Sequence, residues 1–249
     1  MNNADENTVL SVALLAGKIL LESGAETYRV EDTMARIAKH YGLRSTHSFV
    51  TPTAIMFSAS ADSPSRLLRV IERTTDLQKI AETNEISRAI TADTLSIHAA
   101  KEALEELDAS DLQFNFWIKI LAAALVSGLF LIMFNGSFQD MPGSIIAGGS
   151  GLLVAEFIQR HTRIKFFSEF AGAFVIALTA LFFINYLNGV SLNKVIISGV
   201  MPLVPGVLIT NAIRDLMAAH LLAGVVKGIE ASLTAFAIGT GVAVCLILL

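Results

Sequence analysis

Apolar and polar positions follow different rules on the two sides of residue 113. From Gln113 to Leu249, long apolar stretches succeed one another with only short polar breaks. A helix needs about 20 apolar residues to cross the hydrocarbon of a bilayer. Residues 116–134, 142–158, 167–187, 195–213 and 229–249 supply five such stretches. Trp117 and Lys119 suit the interfacial end of the first. The second is shorter and rich in glycine (Gly143, Gly148, Gly149, Gly151), so it fits either a full span or a re-entrant segment. A short interfacial helix around Leu216–Ala223 is expected before the last span.

Up to Asp111 the pattern is that of a soluble domain. Val9 to Leu21 reads as an apolar helix broken early only by Lys18. Val30, Met34, Ile37 and Tyr41 recur on one helix face, and Gly42 suits the left-handed position that ends it. His47–Thr51, Ala54–Ser58 and Arg66–Ile71 are short β-branched or aromatic runs separated by Pro52 and by Asp62-Ser63-Pro64, which predicts two or three antiparallel strands. Two more helices are expected, one near Asp76–Ile90 and one capped by Ser96 with Ile97, Ala100, Leu104 and Leu107 on its inner face. The predicted architecture is a membrane α-helical bundle of about five transmembrane helices (residues 113–249) with an N-terminal cytoplasmic α+β domain (residues 1–112).

Charge sharpens this division. The 249 residues are 53% hydrophobic and only 16% charged, where a soluble domain is nearer a quarter charged. Residues 1–112 hold 11 Lys and Arg against 17 Asp and Glu, and residues 113–249 hold 7 against 5. An acidic head excludes a nucleic-acid partner, whose phosphates need a basic surface. Short loops set orientation. Residues 135–141 carry no Lys or Arg, residues 159–165 carry Arg160, Arg163 and Lys165, residues 188–194 carry Lys194, and residues 214–228 carry Arg214 and Lys227. Cationic loops stay cytoplasmic, which puts the head inside and the C-terminus outside. The N-terminal residues from Met1 to Glu6 lack a positive leader region, so no cleaved signal peptide is expected. Cys245 is the single cysteine and excludes an internal disulfide.

Candidate chemistry lies in three places. Met201-Pro202-Leu203-Val204-Pro205-Gly206 interrupts the fourth span. Proline removes a backbone donor and clashes with the preceding turn, and transporters use such broken helices to set half-helix ends against substrates. A packing kink without a ligand fits the same residues. Asn211, Arg214 and Asp215 follow at the cytoplasmic end of that span, as a polar gate or as ordinary interfacial charges. Glu156, Glu169 and Glu230 each fall near a cytoplasmic span end and are candidates for a coupling site or an acidic vestibule. In the head, Glu22, Glu26, Arg29, Glu31 and Asp32 crowd around Gly24, either as first-turn carboxylates that complement a helix dipole or as a ligand or hydrolytic site. The five histidines have no metal-type spacing, and no phosphate-cradling loop or serine nucleophile elbow is present, so neither a metal nor a cofactor is expected. Two function classes remain: a transporter component, and a membrane-anchored enzyme or sensor working through its acidic head.

Three stretches carry a family resemblance. Leu20-Leu21-Glu22-Ser23-Gly24-Ala25-Glu26-Thr27-Tyr28-Arg29-Val30-Glu31-Asp32-Thr33, Phe49-Val50-Thr51-Pro52-Thr53-Ala54-Ile55, and Pro202-Leu203-Val204-Pro205-Gly206 followed by Asn211-Ala212-Ile213-Arg214-Asp215 resemble the threonine/serine exporter (ThrE-type) family of bacteria. Full-length members join a head and a larger set of spans in one polypeptide. The resemblance therefore implies the larger half of a split exporter, whose smaller membrane half is a separate polypeptide, in a hetero-oligomer that could itself be repeated. It also implies ion-driven efflux of threonine and serine, or of succinate-like dicarboxylates, across the cytoplasmic membrane. The substrate carboxylate would meet Arg214 or the half-helix that begins after Pro205.

Overall fold

The computed structural model describes residues 3–249. The leader reading rests partly on Met1 and Asn2, which lie outside the described residues. The chain forms two compact units, Met1–Gln113 with Val207–Gly228, and Phe114–Gly206 with Ile229–Leu249. Ten α-helices and three strands are described, in the order α1 (Asn3–Glu22), α2 (Thr27–His40), β1 (His47–Thr51), β2 (Ala54–Ser58), β3 (Arg66–Arg69), α3 (Leu77–Thr91), α4 (Ile97–Ala109), α5 (Phe116–Met133), α6 (Met141–Thr162), α7 (Lys165–Tyr186), α8 (Leu192–Val200), α9 (Gly206–Met217) and α10 (Leu221–Leu248).

In the first unit α1 is the core. Val9, Val12, Ala13, Ala16, Ile19, Leu20 and Leu21 are all buried, as expected of a helix apolar nearly all round. It ends in a Schellman motif: Gly24 takes φ +86°, its N–H donates to Leu21 O at 3.2 Å, and Ala25 N–H donates to Leu20 O at 2.9 Å. Gly42 ends α2 in the same way, with φ +90°. Asp76 and Ser96 cap α3 and α4 through the N–H groups of Lys79 and Ala99. The strands form one antiparallel sheet in the order β1-β2-β3. Thr51 pairs Ala54 across the tight Pro52-Thr53 turn, while Val50, Ile55 and Phe57 face the core.

The second unit owes its packing to small residues. Gly143, Ala147, Gly151 and Ala155 repeat every fourth residue along α6 and are buried, which lets neighbouring backbones approach closely. A Cβ on Gly172 of α7 would stand 2.8 Å from the Gly151 carbonyl and 2.9 Å from Ala155 Cβ. Serines join α5, α6 and α8: Ser144 Oγ donates to Ser127 O at 2.9 Å and lies 2.7 Å from Ser198 Oγ. At one end of this unit, buried Asp140 accepts Val190 N–H at 2.6 Å and Ser191 N–H at 3.1 Å, and Lys194 Nζ donates to Asn135 O at 2.6 Å. α7 and α10 advance side by side in one direction, since Lys165 meets Glu230 near their starts and Gly241 abuts Phe170 and Ala173 further on.

Four helical segments are long and apolar enough to cross a membrane: Phe116–Met133, Phe138–Thr162, Lys165–Tyr186 and Leu221–Leu248. The glycine-rich stretch expected at 142–158 is thus part of a full-length helix, because its glycines pack against neighbours rather than breaking it. The stretch expected at 195–213 is not a continuous helix. It is the interrupted pair Leu192–Leu203 and Gly206–Met217, which makes a fifth span if the two are counted as one. No separate interfacial helix forms at Leu216–Ala223. α9 runs to Met217, Ala219 turns left-handed at φ +64°, and α10 starts at Leu221.

Replacing Gly172 with Leu should lower stability by about 1–3 kcal/mol, the usual cost of overpacking. Gly239→Ala, where an added Cβ meets open space, should be neutral or slightly stabilising. Thermal unfolding of the two purified variants in detergent checks both expectations.

Candidate functional site

The strongest polar constellation forms where the turn after α1 meets α9 and the first turns of α10, all within the first unit. Proline at 205 precedes α9, and Val204 before it is extended at φ −64°, ψ 129°, as a residue before proline should be. From there α9 presents Asn211, Arg214 and Asp215 in its last turns. Asn211 Nδ2 donates to Gly24 O at 2.7 Å. Arg214 Nη1 donates to Glu26 Oε1 at 2.5 Å. Asp215 accepts Thr27 N–H at 2.8 Å on one oxygen, and Thr27 Oγ1–H at 2.9 Å and Lys227 Nζ at 2.7 Å on the other.

The physical logic starts at the N-terminus of α2. Its first N–H groups have no intrahelical acceptor, and the preceding Glu26 gives no side-chain cap. Asp215 supplies the cap from 188 residues away. A carboxylate in the last turn of its own helix faces the unfavourable end of that helix dipole. Here it is offset by the N-terminus of α2 and by Lys227. Asp215 is 0% exposed and Lys227 4% exposed, so each charge depends on the other. Lys227 also lies 3.3 Å from Ala25 O and 3.3 Å from Thr27 Oγ1.

The head carboxylates do not act as one cluster. Burial alone would raise the Glu26 carboxyl, but its own backbone N–H, Arg214 and Arg29 outweigh that and hold it below the usual range. Arg29 lies 3.7 Å from it. Glu31 turns to the sheet, accepting Val50 N–H at 3.0 Å, with His220 at 4.0 Å. Its burial pushes the carboxyl up against the pull of His220. Asp32 pairs with Arg36 on the exposed face of α2. Glu22 instead lines a cavity of about 520 Å³ with Arg69, Glu72, Asp76, Lys79 and Asp108, beside the 2.7 Å Lys18–Asp108 pair. Burial raises the Glu22 carboxyl too.

In the second unit the three span-end glutamates divide. Glu156 pairs with Arg160 along α6 at 3.6 Å, and the Arg160 guanidinium lies 4.7 Å over the Phe116 ring. Glu230 and Glu169 share a neighbourhood between α10 and α7, with Lys165 2.9 Å from Glu230. Pro202 lies in a single 3-10 turn, Met201–Leu203, and Gly206 opens α9, where an added Cβ would meet nothing within 4 Å. Sequence reasoning missed Lys227, Thr27 and His220. Lys227 was visible only as one more loop cation ahead of an apolar run. Among the described residues no group of three or more His, Cys, Asp or Glu could hold a metal ion.

Comparisons with known proteins add a frame. Residues 11–249 match the family model described as threonine/serine exporter. The chain is 23% identical to the threonine/serine exporter of Corynebacterium glutamicum, over 83% of this chain and 44% of that relative. A probable threonine/serine exporter of Mycobacterium tuberculosis is also 23% identical, over 88% of this chain and 42% of that relative. The chain thus spans less than half the length of these relatives. The probable succinate transporter subunit YjjP of Escherichia coli is 21% identical, over 99% of this chain and 96% of that relative. No solved structure matches the chain.

Two outcomes are expected from the clasp. Lys227→Met should cost about 3–5 kcal/mol by stranding a buried charge, whereas Lys227→Met with Asp215→Leu should be less harmful than the single change; thermal unfolding of the three proteins checks this. Glu26, with its lowered carboxyl, stabilises the folded unit above its unfolded-state pKa, and that contribution fades as pH falls through the folded-state value. Glu26→Gln should therefore flatten the acid limb of the stability curve, measured by denaturant unfolding across acidic pH.

Proposed function

The chain belongs to the threonine/serine exporter family, and from that premise we propose that it is one subunit of a secondary transporter in the cytoplasmic membrane. The transporter exports small metabolites that carry a carboxylate, of the threonine, serine or succinate type. The observation that carries this reading is the interruption at Met201–Gly206 in a segment otherwise long and apolar enough to span. Backbone freed by a broken membrane helix must be met by protein or by a water-filled cavity, and transporters use such breaks to line a path, whereas a plain anchor needs none. Pro202, Pro205 and Gly206 shape the break. Of the polar residues beyond it, Asn211 and Asp215 are occupied by the head, while the Arg214 side chain stays 60% exposed despite its bond to Glu26. Arg214 is the group through which a substrate carboxylate would enter, competing with Glu26 for the guanidinium.

The relative of nearly equal length is named a transporter subunit, which supports a second membrane polypeptide in the working assembly. Arg163 and Lys165 at the α6–α7 connection support a cytoplasmic position for that end of the membrane unit, with the head inside and the C-terminus outside. The first unit, with its α+β part, would then be a cytoplasmic gate, reporting occupancy at Arg214 through Glu26 to α2.

Efflux of labelled serine, threonine and succinate from liposomes tests this, using the chain with and without its membrane partner. Flux of one substrate class with both polypeptides is expected, and Arg214→Ala should reduce it about 10- to 100-fold, the worth of a hydrogen bond to a charged group. Arg214→Lys should recover only part, because it lacks the planar fork. Flux indifferent to Arg214 would remove that residue from the site. No flux from a folded complex would move the function to the head as enzyme or sensor.

A further inference from the structure

We propose that Glu169 is a proton-binding site in the membrane unit, and that the proton it takes up is the one coupled to export. The second half of this statement rests on the transport reading above; the first half does not. The geometry is an unfinished polar pair. Glu169 lies one turn beyond Lys165 on α7, and Thr234 lies one turn beyond Glu230 on α10. The outer pair is complete, with Lys165 Nζ donating to Glu230 Oε1 at 2.9 Å. The inner pair is not. The Thr234 hydroxyl is the hydrogen-bonding neighbour of the Glu169 carboxyl, but Glu169 Oε2 and Thr234 Oγ1, both shut off from solvent, stand outside good hydrogen-bond geometry with any group.

An ionised carboxylate with an unpartnered oxygen among apolar helices is expensive, and one neutral hydroxyl does not offset it. One proton on Oε2 removes the charge that burial penalises, and the neutral carboxyl can then either donate to or accept from the neighbouring Thr234 hydroxyl. The charged groups facing Glu169 are Lys165 on its own helix and Glu230 on α10. Lys165 is 44% exposed and belongs to the cationic α6–α7 connection, the end placed toward the cytoplasm in the reading above. It is also four residues from Glu169, within side-chain reach on a helix face. Loading is therefore a single proton transfer from water to the Glu169 carboxylate, while Lys165 holds Glu230. Unloading returns the proton to water as Lys165 swings to the ionised Glu169. No other bond forms or breaks, and a two-state charge exchange of this kind gives α7 and α10 two arrangements for a substrate to select.

Two measurements test it. The first needs no substrate: infrared difference spectra of the purified chain between acidic and alkaline pH. Glu22, Glu31 and the surface carboxyls all contribute to the protonated-carboxyl carbonyl region, so the readout is one component of it, which should be lost in Glu169→Gln and kept in Glu230→Gln. A region unchanged by Glu169→Gln overturns the site. The second uses inside-out membrane vesicles from cells that make the chain with its own partners, a strain lacking the chain serving as blank. The probe is whichever of labelled serine or succinate the wild type moves. Glu169→Gln should keep substrate exchange at equal pH within about twofold and lose at least about tenfold of the accumulation driven by a pH difference. Wild-type-like accumulation overturns the coupling role. If Glu169→Gln also abolishes exchange, Thr234→Val decides, and it should move the midpoint of the pH profile without changing the plateau rate. An unmoved midpoint overturns the coupling role. Wild-type vesicles indistinguishable from the blank would sink the transport reading and the coupling with it, while the infrared band still decides whether Glu169 takes the proton.

Discussion

A buried carboxylate must find donors wherever the chain can supply them, and Asp215 finds three in two distant segments. Thr27 gives its N–H and its hydroxyl, and Lys227 gives its ammonium. Satisfying this one side chain fixes the turn after α1, the start of α2, the end of α9 and the start of α10 against one another. An apolar substitute for such a pair can be equally stable. What the charges add is register, since Thr27 N–H is bound only when α9 sits at one rotation and one height. The Asn211–Gly24 and Arg214–Glu26 bonds follow from that placement.

The membrane unit is held by an opposite strategy. In lipid the hydrophobic effect does not distinguish one apolar helix from another, so specificity comes from surface shape and a few internal hydroxyls. The stripe Gly143, Ala147, Gly151 and Ala155 allows α6 to lie close to α7. Ser127, Ser144 and Ser198 tie α5, α6 and α8 to one another near the start of α6. Asp140 is the exception, a buried carboxylate that ties two connections by accepting backbone N–H groups.

Between these regimes the chain passes through Val204-Pro205. Proline cannot continue the helix of α8, and the residue before it is driven extended, so the segment is divided between a membrane unit and a head unit. This gives the proposed export function a mechanical basis. Arg214, the proposed substrate contact at the far side of the break, is also bonded to Glu26. Binding at one changes what the other must pair with.

Local pattern alone determined much of this protein. The lengths of the apolar runs located four long apolar helices, short β-branched and aromatic runs located the strands, and Gly42 and Ser96 marked helix ends that the structure keeps. These are short-range rules, and each can be read from a few adjacent residues. The interruption at Pro202–Gly206 was equally visible because proline acts on its own backbone. Tertiary structure alone decided which polar groups meet. Glu22, Glu26, Arg29, Glu31 and Asp32 look like one cluster in sequence, but helical rotation sends them to a cavity, to α9, to the sheet and to solvent. Lys227 looks like one loop cation among several until α10 starts early enough to bury it. Electrostatic pairing at a separation of 188 residues leaves no local periodicity, because the energy that selects it exists only once burial has removed the water.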